Sequence, residues 1–182
     1  MQPRNEPLSS KQTLFLDQFM ADSGSVGDWL KIIPVEEDQG PILIFPSRSV
    51  YSPTHLISAV TKAWRSVFRK ENRAKDASIE VLRWLSGSRQ VSTALDIMRI
   101  DPPETVMFAR LPAEFGKTDP EGMELSISRE LIEFSTDIGL ERINGELLWA
   151  GPDIRSIYPH LSEDEEEILE WSVLEMVALT EL

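Results

Sequence analysis

Few residues of this chain have the type and spacing for covalent or metal chemistry. It has two histidines, His55 and His160, and neither has a second histidine at ligand spacing. A zinc site or a nucleophile–base triad is therefore not expected. Gly116-Lys117-Thr118 has the ending of a phosphate-binding loop, but that motif needs a glycine five residues before Gly116, where Leu111 stands. Five acids run over residues 163–167 and read as a solvated helix start, favoured by the helix dipole. Cysteine is absent, which removes disulfides, thiolate metal sites and a cysteine nucleophile together. Carboxylates are so abundant that no pair is singled out for glycosidase-type catalysis. No cofactor and no metal are expected.

What remains is chemistry of binding. The net charge is −13, which repels polyanions as a whole. Residues 48–99, however, hold ten Lys and Arg against four acids, a local net of +6 that leaves −19 for the rest. Such asymmetry points to one face for a polyanion and others for different partners. Lys62, Arg65, Arg69, Lys70, Arg73, Arg83 and Arg89 can contact phosphate. Ser86-Gly87-Ser88 precedes a helix start, where free N–H groups favour phosphate. Trp64 and Trp84 can stack on unpaired bases, although their places near apolar stripes read more readily as core. Arg89 and Gln90 are hard to explain as core.

These residues need elements to position them. Residues 72–100 read as two helices hinged at Ser86-Gly87-Ser88. Gly87 ends the first helix, because glycine tolerates the left-handed conformation of a C-cap. Ser88 is expected to cap the second, which bears Val91, Leu95 and Met98. Upstream, Pro53 at a first helical position after Ser52 starts a helix. Its stripe is Leu56, Ala59, Val60, Ala63, Trp64 and Val67, with Lys62, Arg65 and Arg69 on another side. Residues 42–45 and 105–109 read as buried strands. Residues 13–20 are ambiguous between strand and short helix. Asp28 is expected to cap a helix that Pro34 stops, and residues 36–40 are a polar turn. Residues 126–138 look helical and are closed by Gly139. Asn144-Gly145 signals a turn, possible in a hairpin. Ser162 to Glu165 fits a capping box for a last helix with more apolar surface than one stripe needs, including Leu174, Val177 and Leu179.

The sum is an α+β fold: a small mixed or antiparallel sheet packed against a layer of several helices. A flexible tail over residues 1–10 precedes a single domain over 11–182. No apolar run is long enough to span a membrane, the start lacks a signal-peptide core, and the absence of cysteine fits a reducing cytoplasm.

The run Ser78-Ile79-Glu80-Val81-Leu82-Arg83-Trp84-Leu85-Ser86-Gly87-Ser88-Arg89-Gln90-Val91 is similar to the signature of the PRPK-binding-protein family. Thr54-His55-Leu56 and the stretch from Leu174 to Leu179 fit the same pattern, the latter near the chain end as in archaeal members. The resemblance covers about residues 42–182, and Trp84 stands where tyrosine is common. It implies the small accessory subunit of the KEOPS complex, which installs threonylcarbamoyl adenosine in tRNA. It further implies a protein that is not an enzyme and takes no small-molecule substrate. Its expected partners are the kinase-like ATPase subunit and the 3′ CCA end of tRNA. On this reading Lys62, Arg65, Arg69, Arg73, Arg83 and Arg89 engage tRNA, and Ser86, Gly87, Ser88 and Gln90 shape the tail pocket. The kinase-like partner then docks on Val91, Leu95 and Met98, or on Leu174, Val177 and Leu179. The rival is a helix-turn-helix DNA-binding regulator with a reading helix over residues 88–99.

Overall fold

The computed structural model of the chain describes residues 12–32, 39–128, 139–161 and 166–181. The expected tail, the Pro34 stop, most of the 36–40 turn, the Ser162 capping box and most of the helix expected over 126–138 lie outside them. The elements follow the order β1 (Gln12–Ala21), α1 (Val26–Ile32), β2 (Ile42–Pro46), α2 (Pro53–Phe68), α3 (Ala77–Leu85), α4 (Val91–Ile97), β3 (Glu104–Arg110), β4 (Met123–Ile127), β5 (Leu140–Arg142) and α5 (Glu166–Ala178). The fold is α+β with one mixed sheet, ordered β2-β3-β1-β4, with β5 also on β1. β1 runs antiparallel to β3 and β5 and parallel to β4.

The ambiguous segment is thus the central strand. Asp17 and Gln18 are both buried, one on each face, so no apolar alternation marks the strand. Each is satisfied as burial demands. Asp17 pairs with Arg142 at 2.9 Å. Gln18 donates to the Glu146 carbonyl at 2.7 Å and accepts from the Leu148 N–H at 2.9 Å. Ser126 and Ile127 belong to β4, in register with Phe15 and Leu16, so the helix expected from Ser126 does not start there. Asn144-Gly145 lies in the bend after β5, and no strand follows it among the described residues. Ser25, rather than Asp28, caps α1: its hydroxyl accepts from the Asp28 N–H at 3.3 Å.

One sheet face carries Leu14, Leu16, Leu43, Phe45, Met107 and Ala109 against the stripes of α2 and α3. Each large apolar side chain buried there contributes roughly 1.5–3 kcal/mol. The other face packs Phe19, Ile44, Val106 and Phe108 on Trp29 of α1. α5 buries Leu169 and Val173 among Tyr51, Ile154, Tyr158 and Leu161.

α2 begins as expected: Ser52 accepts from the His55 N–H at 3.3 Å, with Pro53 at the first position. Asp76 caps α3, accepting from Ser78 N–H at 2.9 Å and Ile79 N–H at 3.1 Å. α3 ends in a Schellman arrangement: Ser88 N–H donates to the Arg83 carbonyl and Gly87 N–H to that of Trp84. Gly87 has φ +63°, and a Cβ there would lie 2.3 Å from Met176 Cγ of α5. Ser88 does not cap α4. Its hydroxyl bonds both backbone groups of Gln90, the cap residue.

The connection from α2 to α3 is held by one carboxylate. Glu80 is fully buried. One oxygen accepts from Ser66 Oγ (3.1 Å), Arg83 Nη2 (2.6 Å) and Trp84 Nε1 (3.1 Å). The other accepts from the Arg73 N–H (3.1 Å), the Ala74 N–H (3.0 Å) and Arg83 Nε (3.2 Å). Burial pushes its pKa up, but the bonds from Arg83, Ala74 and Ser66 and the Arg83 charge outweigh that and lower it from the ordinary 4.5. The stabilisation is therefore present above pH 4.5 and is lost as pH falls below it.

Removing one partner of a buried pair strands the other charge, at a cost of about 3–5 kcal/mol. Glu80→Ala is expected to lose about that much in urea unfolding. A loss below 1 kcal/mol would show that the carboxylate does not hold this connection.

Candidate functional surfaces

The expected phosphate contacts separate into exposed and buried residues. Arg69, Arg73, Arg89 and Gln90 are exposed, and Lys62, Arg65, Gly87 and Ser88 are half-buried. Lys62, Arg65 and Arg69 follow one another along α2 at three- and four-residue spacing. The chain then turns, and Arg73 Nη1 donates to the Arg89 carbonyl at 3.3 Å. α2, the loop and the hinge thereby join into one basic ridge. Arg65 lies 3.8 Å from the exposed Asp119, a contact worth little at the surface. Arg69 and Arg89 make no ion pair among the described residues.

Two members of the expected set do not reach this ridge. Arg83 is 1% exposed, paired with Glu80, and stacked with its guanidinium carbon 4.9 Å from the centre of the Trp84 ring. Its planar fork serves the carboxylate and not a phosphate. Ser86 is buried, and its hydroxyl donates to the Arg83 carbonyl at 2.9 Å. Trp64 and Trp84 are both fully buried and belong to the core, not to a stacking surface.

The apolar candidates divide in the same way. Met98 and Val177 are core residues, 4% and 0% exposed, so neither can meet a partner. Val91 and Leu174 are half-buried. Leu95 and Leu179 are 43% and 46% exposed. Trp171, absent from the expected set, is 72% exposed on α5. Its signal in the sequence was the surplus of apolar residues around that helix.

The hinge and α5 share a cleft of about 500 Å³. Gly87, Leu161, Met176 and Leu179 supply its apolar lining, with His160 and Glu175 among its polar groups. One cleft therefore joins a glycine expected in the RNA set to a leucine expected in the partner set.

His55 has a structural place. It is fully buried; Nδ1 accepts from the Tyr51 N–H at 3.1 Å, so Nε2 carries the proton and donates to the Leu85 carbonyl at 3.1 Å. The Tyr158 hydroxyl lies 3.4 Å from the same carbonyl. The end of α3 is thus tied to the start of α2. The Gly116–Thr118 loop is structural too: the Thr118 carbonyl accepts from Trp64 Nε1 at 2.5 Å. Among the described residues no group of three or more acids or histidines is placed to hold a metal. No helix among them is long and apolar enough to cross a membrane. The second helix of the hinge spans only Val91–Ile97, shorter than the expected 88–99. It exposes Asp96 alongside Ser92 and Thr93, and Arg99 beyond it pairs with Asp101 at 2.6 Å. This is a poor surface for a DNA-reading helix, since an exposed acid repels phosphate.

The family described as Kinase binding protein CGI-121 matches the chain over residues 31–181. No curated protein matches it.

Burial lowers the His55 pKa from 6.5 to about 4, against the opposing bond to Leu85. An unfolded histidine protonates near 6.5, so His55 costs nothing above that pH. Between pH 6.5 and 4 the unfolded state binds the extra proton, and stability falls by up to about 1.4 kcal/mol per pH unit. Urea unfolding at pH 7.5 and 5.0 should show a larger loss for the parent than for His55→Gln. Equal losses would show that His55 is protonated in the folded state.

Proposed function

This chain belongs to the CGI-121 family of kinase-binding proteins, and on that premise we propose that it is a non-catalytic accessory subunit. It docks on the kinase-like ATPase of the cytoplasmic KEOPS complex and holds the single-stranded 3′ CCA end of tRNA. It thereby supports threonylcarbamoyl adenosine modification without a cofactor or small-molecule substrate of its own.

The observation that supports this reading is the approach of the last helix to the hinge at Gly87, where one cleft borders both. The basic ridge of Arg65, Arg69, Arg73 and Arg89 follows the RNA backbone, because exposed guanidinium groups exchange counterions for phosphate. Gly87, Ser88 and Gln90 border the tail. A docked kinase covers Leu95, Trp171, Leu174 and Leu179. Exposed aromatic and aliphatic groups of this kind anchor interfaces when a partner removes them from water. With the two surfaces meeting at the cleft, one subunit brings an RNA end next to its kinase partner.

Two measurements test this. Binding of one tRNA with and without its terminal CCA, at one fixed salt concentration, should drop at least tenfold on removal of the tail. Arg69→Glu with Arg89→Glu should weaken the intact tRNA further. Equal affinity for both tRNAs would leave the ridge a non-specific polyanion surface. Leu95→Glu with Leu179→Glu should retain the parent Tm and lose copurification with the kinase-like ATPase. A folded double variant that still copurifies would remove this face from the interface.

A further inference from the structure

We propose that the turn closing α2, Phe68-Arg69-Lys70, is a clamp for unpaired nucleotides, with Phe68 stacking on a base and Lys70 holding an adjoining phosphate. This rests on the nucleic-acid reading above and deepens it by adding a stacking ring, Phe68, and a fixed place for Lys70.

Three observations carry it. First, Phe68 is 41% exposed on the stripe that continues from Arg65, three residues earlier on the helix. An aromatic ring open to water beside a basic groove is the arrangement that holds single-stranded nucleic acid.

Second, Lys70 has φ +61°. The α2 end is a Schellman turn: Glu71 N–H donates to the Ser66 carbonyl at 2.9 Å and Lys70 N–H to that of Val67 at 3.0 Å. Lys70 therefore occupies the position that glycine fills at most such turns. A side chain there strains the backbone, and the exposed lysine recovers nothing by packing. The turn thus places an exposed positive charge where glycine is the usual residue.

Third, the surroundings are predominantly positive. Residues 62–75 carry six Lys and Arg against one acid, Glu71. Glu80 fixes the loop that follows the turn by holding the N–H groups of Arg73 and Ala74. A stacking ring needs a free base face, which a duplex covers and an unpaired strand offers.

The test compares the full chain's affinity for a short unpaired oligoribonucleotide and for the same backbone without bases, at one salt concentration. Phe68→Ala should weaken the base-bearing strand about tenfold and leave the abasic strand unchanged, with Phe68→Tyr restoring the difference. Lys70→Gly should raise Tm by about 2–4 °C and weaken both strands. Unchanged binding by Phe68→Ala overturns the clamp and leaves the nucleic-acid reading standing. Failure of the unaltered chain to bind either strand or tRNA overturns both. A Lys70→Gly protein no more stable than its parent overturns the argument from the lysine's conformation.

Discussion

Six hydrogen bonds converge on the two oxygens of Glu80, and the arrangement of the helical layer depends on them. The donors come from α2, from the following loop and from α3. A carboxylate taken out of water costs several kcal/mol unless its lone pairs are filled and its charge is met. Here both conditions hold, because the Arg83 guanidinium is buried with it. The pair fixes where α2 must end relative to α3. It pins the loop backbone at Arg73 and Ala74 while leaving the Arg73 side chain in solvent. A preformed basic ridge follows from that internal neutralisation.

The second constraint is Gly87. Its left-handed backbone turns the chain from α3 toward α4, and its missing side chain lets Met176 of α5 approach. A single residue thus serves both the reversal of the hinge and the docking of the last helix. His55 and Tyr158 meet the Leu85 carbonyl immediately before the hinge. The hinge is therefore tied to the start of α2 on its inner side and borders the cleft with Gly87. Part of the charge asymmetry of the sequence has the same geometry: Lys62, Arg65, Arg69, Arg73 and Arg89 lie along α2, the loop and the hinge, whereas α5 and the turn after it present Trp171 and Leu179.

Much of this was legible in the sequence where a local rule decides the outcome. The Ser52-Pro53 start of α2, its apolar stripe, the Gly87 stop and strands β2 and β3 follow from capping, periodicity and backbone conformation. The family signature around the hinge was equally local. What failed depends on burial, which spacing does not report. Arg83 reads as a phosphate ligand because arginine is seldom buried, and nothing local shows that Glu80 takes it inside. Met98 and Val177 share their helical periods with interface residues, and periodicity does not separate core from contact. β1 was obscured because its two central polar residues are both interior, each held by a distant segment. Ser126 and Ile127 read as helix because their strand pairing is with β1, more than a hundred residues away in sequence. Phe68 carries no sequence signal apart from its neighbours' charge.

The most direct measurement of the account is native-state amide hydrogen exchange at Arg73 and Ala74. Both amides sit in a loop outside any helix or strand, yet both donate to the buried carboxylate. They are predicted to exchange nearly as slowly as the amides of the central strand β1, since opening them requires releasing Glu80 and its arginine. Exchange at the rate of an unprotected surface loop would contradict the account, because the ridge would then lack the fixed backbone on which its geometry rests.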